Sequence, residues 1–187
     1  MVSLVSLVLP ILISAVVVFL LSWIIHMFLK YHTGDFQKLS NEDGVADALR
    51  KFEIPPGDYM TPYAGSSQTM KDPAYLEKFK KGPVLVMTVL PAGQMAMGKS
   101  LLQWFIYCIV VSVFAGYITA HAVPAGADYL QVFRFAGCTA FAGYALGLWQ
   151  DSIWYRRKWS TTVKFSVDGL IFALFTAGIF GSMWPKG

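Results

Sequence analysis

The chain has 187 residues, of which 56% are hydrophobic and 14% charged, with a formal net charge of +4 and a mean hydropathy of +0.52. That balance is too apolar for an ordinary soluble domain of this length. The basic residues are spread along the chain instead of forming one patch, which excludes a nucleic-acid-binding footprint.

Residues 2–29 form an almost unbroken apolar run, longer than the roughly 20 residues a membrane helix needs. It lacks a basic n-region and a clean small-residue cleavage site, so it reads as an uncleaved membrane helix. Pro10 is expected to bend it in the second or third turn. Residues 31–99 are the one long stretch that cannot lie in lipid. Within it, Asn41-Glu42-Asp43 ahead of Val45, Ala46, Leu49 and Phe52 predicts a short helix over 41–52, ended by Pro55-Pro56-Gly57. Asp72-Pro73 opens a second helix and Gly82 closes it. Residues 58–63 and 84–90 are expected to pair as two strands. Met60, Met70, Met87, Met95 and Met97 have no interleaved Cys or His, and read as gap-fillers and not as a soft-metal site.

Three further spans are expected at 100–123, 129–150 and 165–184. The short connection Pro124–Asp128 makes the second and third antiparallel neighbours. The expected fold is therefore mainly α: a polytopic membrane protein with four transmembrane helices and a small cytoplasmic α/β insert between helices 1 and 2. Its divisions are 1–30 (first helix), 31–99 (insert) and 100–187 (helices 2–4). Cys108 and Cys138 fall at different depths in their helices, which argues against a disulfide.

With the N-terminus outside, the inner side carries 13 Lys and Arg, and the outer side only Arg134 and Lys186. The positive-inside rule then places both termini outside and residues 31–99 and 151–164 in the cytoplasm. Trp104, Tyr107, Trp149, Trp154, Tyr155 and Trp159 fit an aromatic belt at the inner interface.

Small residues recur every fourth position: Gly169, Ala173, Ala177 and Gly181 in the last span, Gly143 and Gly147 in the third, Ser112, Gly116 and Ala120 in the second. In lipid, such stripes let helix backbones approach closely, within one bundle or against another subunit. His26, His32 and Asp35 lie where the first span leaves the membrane. Their types suit a metal or a proton relay, but their spacing matches no metal signature. The simpler reading is a buried interfacial His26 beside a solvated His32, and no metal or other cofactor is assigned. Arg134 snorkels to outer headgroups or lines a pathway. Asp151 and Asp168 are expected to pair with Arg156 and Arg157 at the inner boundary. The sequence contains no phosphate-binding glycine loop and no Ser or Cys nucleophile motif, so it leans away from an enzyme.

The runs IHMFLKYHTGDFQKLSNEDGVADALR (Ile25 to Arg50) and MGKSLLQWFIYCIVVS (Met97 to Ser112) resemble a family of small uncharacterised bacterial four-helix inner-membrane proteins. The resemblance implies a bacterial inner-membrane setting and a four-helix layout, and carries over no activity or site residue. The first functional expectation is a non-catalytic accessory, assembly or scaffold subunit, in contact with membrane lipids and with other membrane proteins in a homo- or hetero-oligomer. The alternative is a small homo-oligomeric transporter or channel, using Arg134, His121, Asp151 and Asp168. A third reading is a membrane enzyme or metal binder built on His26, His32 and Asp35.

Overall fold

A computed structural model describes residues 2–93 and 96–186, so Met95 lies outside the described residues. In chain order the α-helices are α1 (Val8–Met27), α2 (Glu42–Arg50), α3 (Pro73–Lys81), α4 (Gly98–Ala122), α5 (Tyr129–Tyr144), α6 (Trp149–Trp154) and α7 (Trp159–Ser182). Two strands, β1 (Gly57–Thr61) and β2 (Leu85–Val89), lie between α2 and α4. The chain divides into two compact units, Met1–Phe36 with Ala96–Gly187, and Gln37–Met95. The inserted unit is thus shorter at both ends than 31–99, because residues 31–36 and 96–99 belong with the apolar helices.

In the helical unit, α1 is preceded by a 3-10 turn over Leu4–Leu7, whose Ser3 cap accepts a hydrogen bond from the Val5 N–H. Pro10 therefore falls in the first turn of α1, not the second or third. There its missing N–H leaves no helical bond unmade. The segments Leu4–Met27, Gly98–Ala122 and Trp159–Ser182, of 24, 25 and 24 residues, are long and apolar enough to cross a membrane. They mark a membrane protein, with three such helices among the described residues where four were expected.

The expected third span is the exception. α5 has only 16 residues, a rise of about 24 Å against a hydrocarbon core of roughly 30 Å. The helix breaks at Ala145 (φ −123°, ψ −47°), and the chain continues through a 3-10 turn (Leu146–Leu148) into α6. Near the break, the Gly143 carbonyl accepts the Tyr107 hydroxyl from α4 at 2.5 Å.

α5 packs against α7 and α4, and α1 packs against the same two helices. The core has two layers. Leu7, Ile11, Ala115, Val132, Phe180 and Trp184 fill one, and Ala15, Val18, Cys108, Val111, Ala140 and Phe172 the other. The first layer lies near both ends of the chain. There Trp184 Nε1 donates to the Pro124 carbonyl (2.9 Å) and the Gly126 N–H to the Pro185 carbonyl (2.8 Å). The two termini thus share one end of this unit. Its outer surface is apolar: Leu12, Leu20, Ile106, Phe114, Leu170 and Leu174 are all exposed. In water a patch of that extent is a liability; in lipid it is the required solvent-facing surface.

The small-residue stripes are spent inside this unit. Ala173 and Ala177 are buried, and a Cβ on Gly137 would lie 3.1 Å from that of Ala177. On α4, Ser112 and Ala120 are buried, and Gly116 faces Phe180 and Ile11. Gly143 meets Val111, whereas Gly147 faces open space. Both cysteines are free.

In the inserted unit the expected strand pair forms, antiparallel, with Tyr59 opposite Met87. The Asn41 side chain accepts from the Gly44 N–H and starts α2, which ends at Arg50, two residues earlier than expected. Asp72 caps α3 in the same way, and Gly82, at φ 63°, ends it with a conformation that costs glycine little.

The close approach of α7 to α5 yields a prediction. A Cβ on Gly169 would lie 2.9 Å from that of Ala145, and one on Gly181 2.7 Å from the Tyr129 ring. Gly169→Leu and Gly181→Leu should each destabilise the helical unit by about 1–3 kcal/mol, read as unfolding in detergent. Gly147→Leu should be near neutral. Equal losses in all three variants would contradict this packing.

Candidate functional site: a histidine–aspartate cluster

The cluster begins with a chain reversal. After α1 the backbone forms a 3-10 turn over Lys30–His32, closed by the Thr33 N–H and hydroxyl on the Lys30 carbonyl (3.2 and 2.7 Å). The turn folds the chain back against α7. There Lys164 and Asp168, four residues apart, share one helix face.

Lys164 Nζ donates to the Tyr31 carbonyl (2.5 Å) and to Asp35 Oδ1 (2.8 Å). His32 bridges two carboxyl groups, with Nδ1 2.7 Å from Asp35 Oδ2 and Nε2 2.9 Å from Asp168 Oδ2. The His26 ring stacks on that of His32, 4.7 Å between centroids and 5° between planes. His26 Nδ1 donates to the Ser22 carbonyl (2.9 Å), which leaves Nε2 as the free ring nitrogen. Phe165 lies against both imidazoles, and the Arg157 guanidinium lies 5.1 Å from its ring centre. Ser22 Oγ also accepts from Trp104 Nε1 (2.8 Å), which ties α1 to α4, while His32 ties the turn after α1 to α7.

Asp168 is only 1% exposed, and its Oδ1 has no hydrogen-bond partner among the described residues. Asp168 and His26 both border a cleft of about 570 Å³, walled by Trp23, Trp104, Tyr144 and Phe165. Burial works against ionisation of Asp35, but hydrogen bonds and charge from Lys164 and His32 outweigh it, and its pKa lies below the usual carboxylate value.

This arrangement regroups the residues singled out from the sequence. His26 and His32 do converge, but their exposure is the reverse of the simpler reading: His32 is tucked in against α7, and His26, expected to be buried, is exposed. Asp35 is there as well, one step behind His32. Asp168, expected to pair with Arg156 or Arg157, binds His32 instead, because it lies on the α7 face that receives the chain reversal. Asp151 alone takes the expected partner, with its carboxylate 3.6 Å from Arg157. Arg134 and His121 are exposed and lie toward the end carrying the termini, where His121 donates to the carbonyl of Tyr117. Lys164 was missed. The Lys164–Asp168 spacing on an otherwise apolar helix was its one visible signal.

Because Asp35 titrates lower when folded, its contribution is complete above the unfolded carboxylate value, about 3.9, and is lost as pH falls through the folded value. Asp35→Asn should cost about 1–3 kcal/mol at pH 7, toward the lower figure because Lys164 is partly exposed. The gap from wild type should narrow below about pH 4. Denaturation in detergent across that range checks this, and a gap of constant size would contradict it.

No protein-family model, curated protein or solved structure matches the chain.

Proposed function

We propose that the protein is a non-catalytic accessory or assembly subunit of a membrane complex, and that residues 37–93 dock it to a partner protein. The observation that carries this reading is burial: among the described residues, none between 37 and 93 is buried. Yet this unit has capped helices, a registered strand pair and an exposed apolar stripe made by Val45 and Leu49 on α2 and Phe52 just after it. A segment with formed elements and no core of its own gains its missing burial from another surface. Residues 37–93 carry seven basic and seven acidic side chains, so they offer no net attraction to anionic headgroups. That favours a protein surface over the bilayer.

The setting we infer is a bacterial plasma membrane, with both termini outside and residues 37–93 in the cytoplasm. The 13-to-2 distribution of basic residues supports it, as does the shared end of the two termini. In this topology α5, the turn at 146–148 and α6 together return the chain across the bilayer.

A transporter or channel finds less support. Arg134 and His121 are exposed toward the terminal end, Asp151 pairs with Arg157, and the apolar layer of Ala15, Val18, Cys108, Val111 and Ala140 separates Arg134 and His121 from Asp168.

Native mass spectrometry of the gently extracted full chain tests the proposal. Wild type should appear with a second polypeptide in fixed ratio. Leu49→Asp with Phe52→Asp should release that partner while leaving the melting of the helical unit unchanged. Wild type found alone, or only in multiples of its own 20.7 kDa, would overturn the docking reading. So would a double variant that keeps the partner.

A further inference from the structure

The histidine–aspartate cluster carries an inference that stands whether or not residues 37–93 dock a partner. We propose that His26, His32 and Asp168 form a two-histidine, one-carboxylate site for a divalent transition-metal ion, with a coordination position open to the cleft.

Four observations carry it. The donor atoms of the three side chains already lie within 4.8 Å of one another. Each histidine is tethered through Nδ1, His26 to the Ser22 carbonyl and His32 to Asp35, which leaves Nε2 as the ring nitrogen on offer to an ion. An outer carboxylate or carbonyl that fixes the ring and its tautomer is the recurring support of metal-bound histidine. Asp35 is itself held by Lys164, so this support is anchored to α7. Finally, Asp168 Oδ1 is buried and unpartnered at the edge of the cleft. A buried carboxylate oxygen with no donor is costly in apolar surroundings, and a cation satisfies it.

The chemistry of the donors selects the ion. Imidazole nitrogens with a single carboxylate suit zinc or iron(II), whereas magnesium and calcium prefer a shell of oxygens. Donors around tetrahedral zinc lie about 3.3 Å apart. His32 Nε2 and Asp168 Oδ2, at 2.9 Å, are already that close. With all donors within 4.8 Å, closing the set needs the His26 ring to move inward by roughly 1.5 Å and to turn out of its parallel stack on His32, so that both ring planes meet at the ion. His26 is exposed at the rim, where the ring can turn about its hydrogen bond to the Ser22 carbonyl. Three protein donors leave zinc one further position. Here that position faces the 570 Å³ aromatic cleft, where water or an oxygen-bearing molecule can reach it.

The test uses the full chain, purified in detergent without a histidine tag, stripped with a chelator and dialysed against Zn²⁺. Elemental analysis should find one zinc per chain. Cobalt(II) in place of zinc should give the visible absorption of a low-coordinate nitrogen–oxygen site. Asp168→Asn and His26→Ala should each abolish stoichiometric zinc, and Asp35→Asn should weaken it roughly 10- to 100-fold. His26→Ala at the exposed rim keeps the test sharp should Asp168→Asn fail to fold. Wild type without stoichiometric zinc would overturn the proposal, as would a folded His26→Ala or Asp168→Asn protein that binds zinc as tightly as wild type.

Discussion

The contact between His32 and Asp168 sets the architecture of one end of the helical unit. A carboxylate buried within a helix of lipid-spanning length is expensive unless a polar partner meets it. No residue on α7 itself supplies that partner. It comes from the chain leaving α1, which must reverse over Lys30–His32 to bring the imidazole to 2.9 Å. Once the reversal is made, Asp35 and Lys164 close behind it, and His26 stacks alongside. The need to satisfy one buried acid thus explains a turn, an ion pair and a ring stack. The cleft beside them is bounded on one side by His26 and Asp168.

The rest of the helical unit obeys a different constraint, close approach in a medium that gives no hydrophobic drive. Gly169, Ala173, Ala177 and Gly181 let α7 lie against α5, and Gly116 admits Phe180. This packing leaves the outer apolar residues to lipid. The inserted unit has neither resource. It has no buried acid to organise it and no buried core among its described residues, so its apolar faces remain displayed.

Much of the fold was legible in the sequence because local rules decided it. Asn41 and Asp72 cap their helices, Gly82 ends one, and the β-rich runs pair as the alternation of side chains requires. The break at Ala145 was not legible. No charged residue or polar run marks it between Phe135 and Trp149, and the interruption is seen only once Gly169 and Tyr107 are brought up from other helices. The small-residue stripes announced close packing but not which neighbour would receive it. The site was half legible. His26, His32 and Asp35 stood out by type and location, but the i,i+6 spacing of the histidines matches no helical period, since a reversal and not a helix face brings them together. Asp168 lies 136 residues from His32, and only tertiary structure joins them.

The central claim is that His32 and Asp168 are energetically coupled, and a double-mutant cycle measures that coupling directly. Unfolding free energies in detergent would be compared for wild type, His32→Ala, Asp168→Asn and the double variant. A charge-assisted hydrogen bond predicts a coupling of about 1.5–3 kcal/mol. Additive effects, with coupling indistinguishable from zero, would contradict it and leave the chain reversal without its cause.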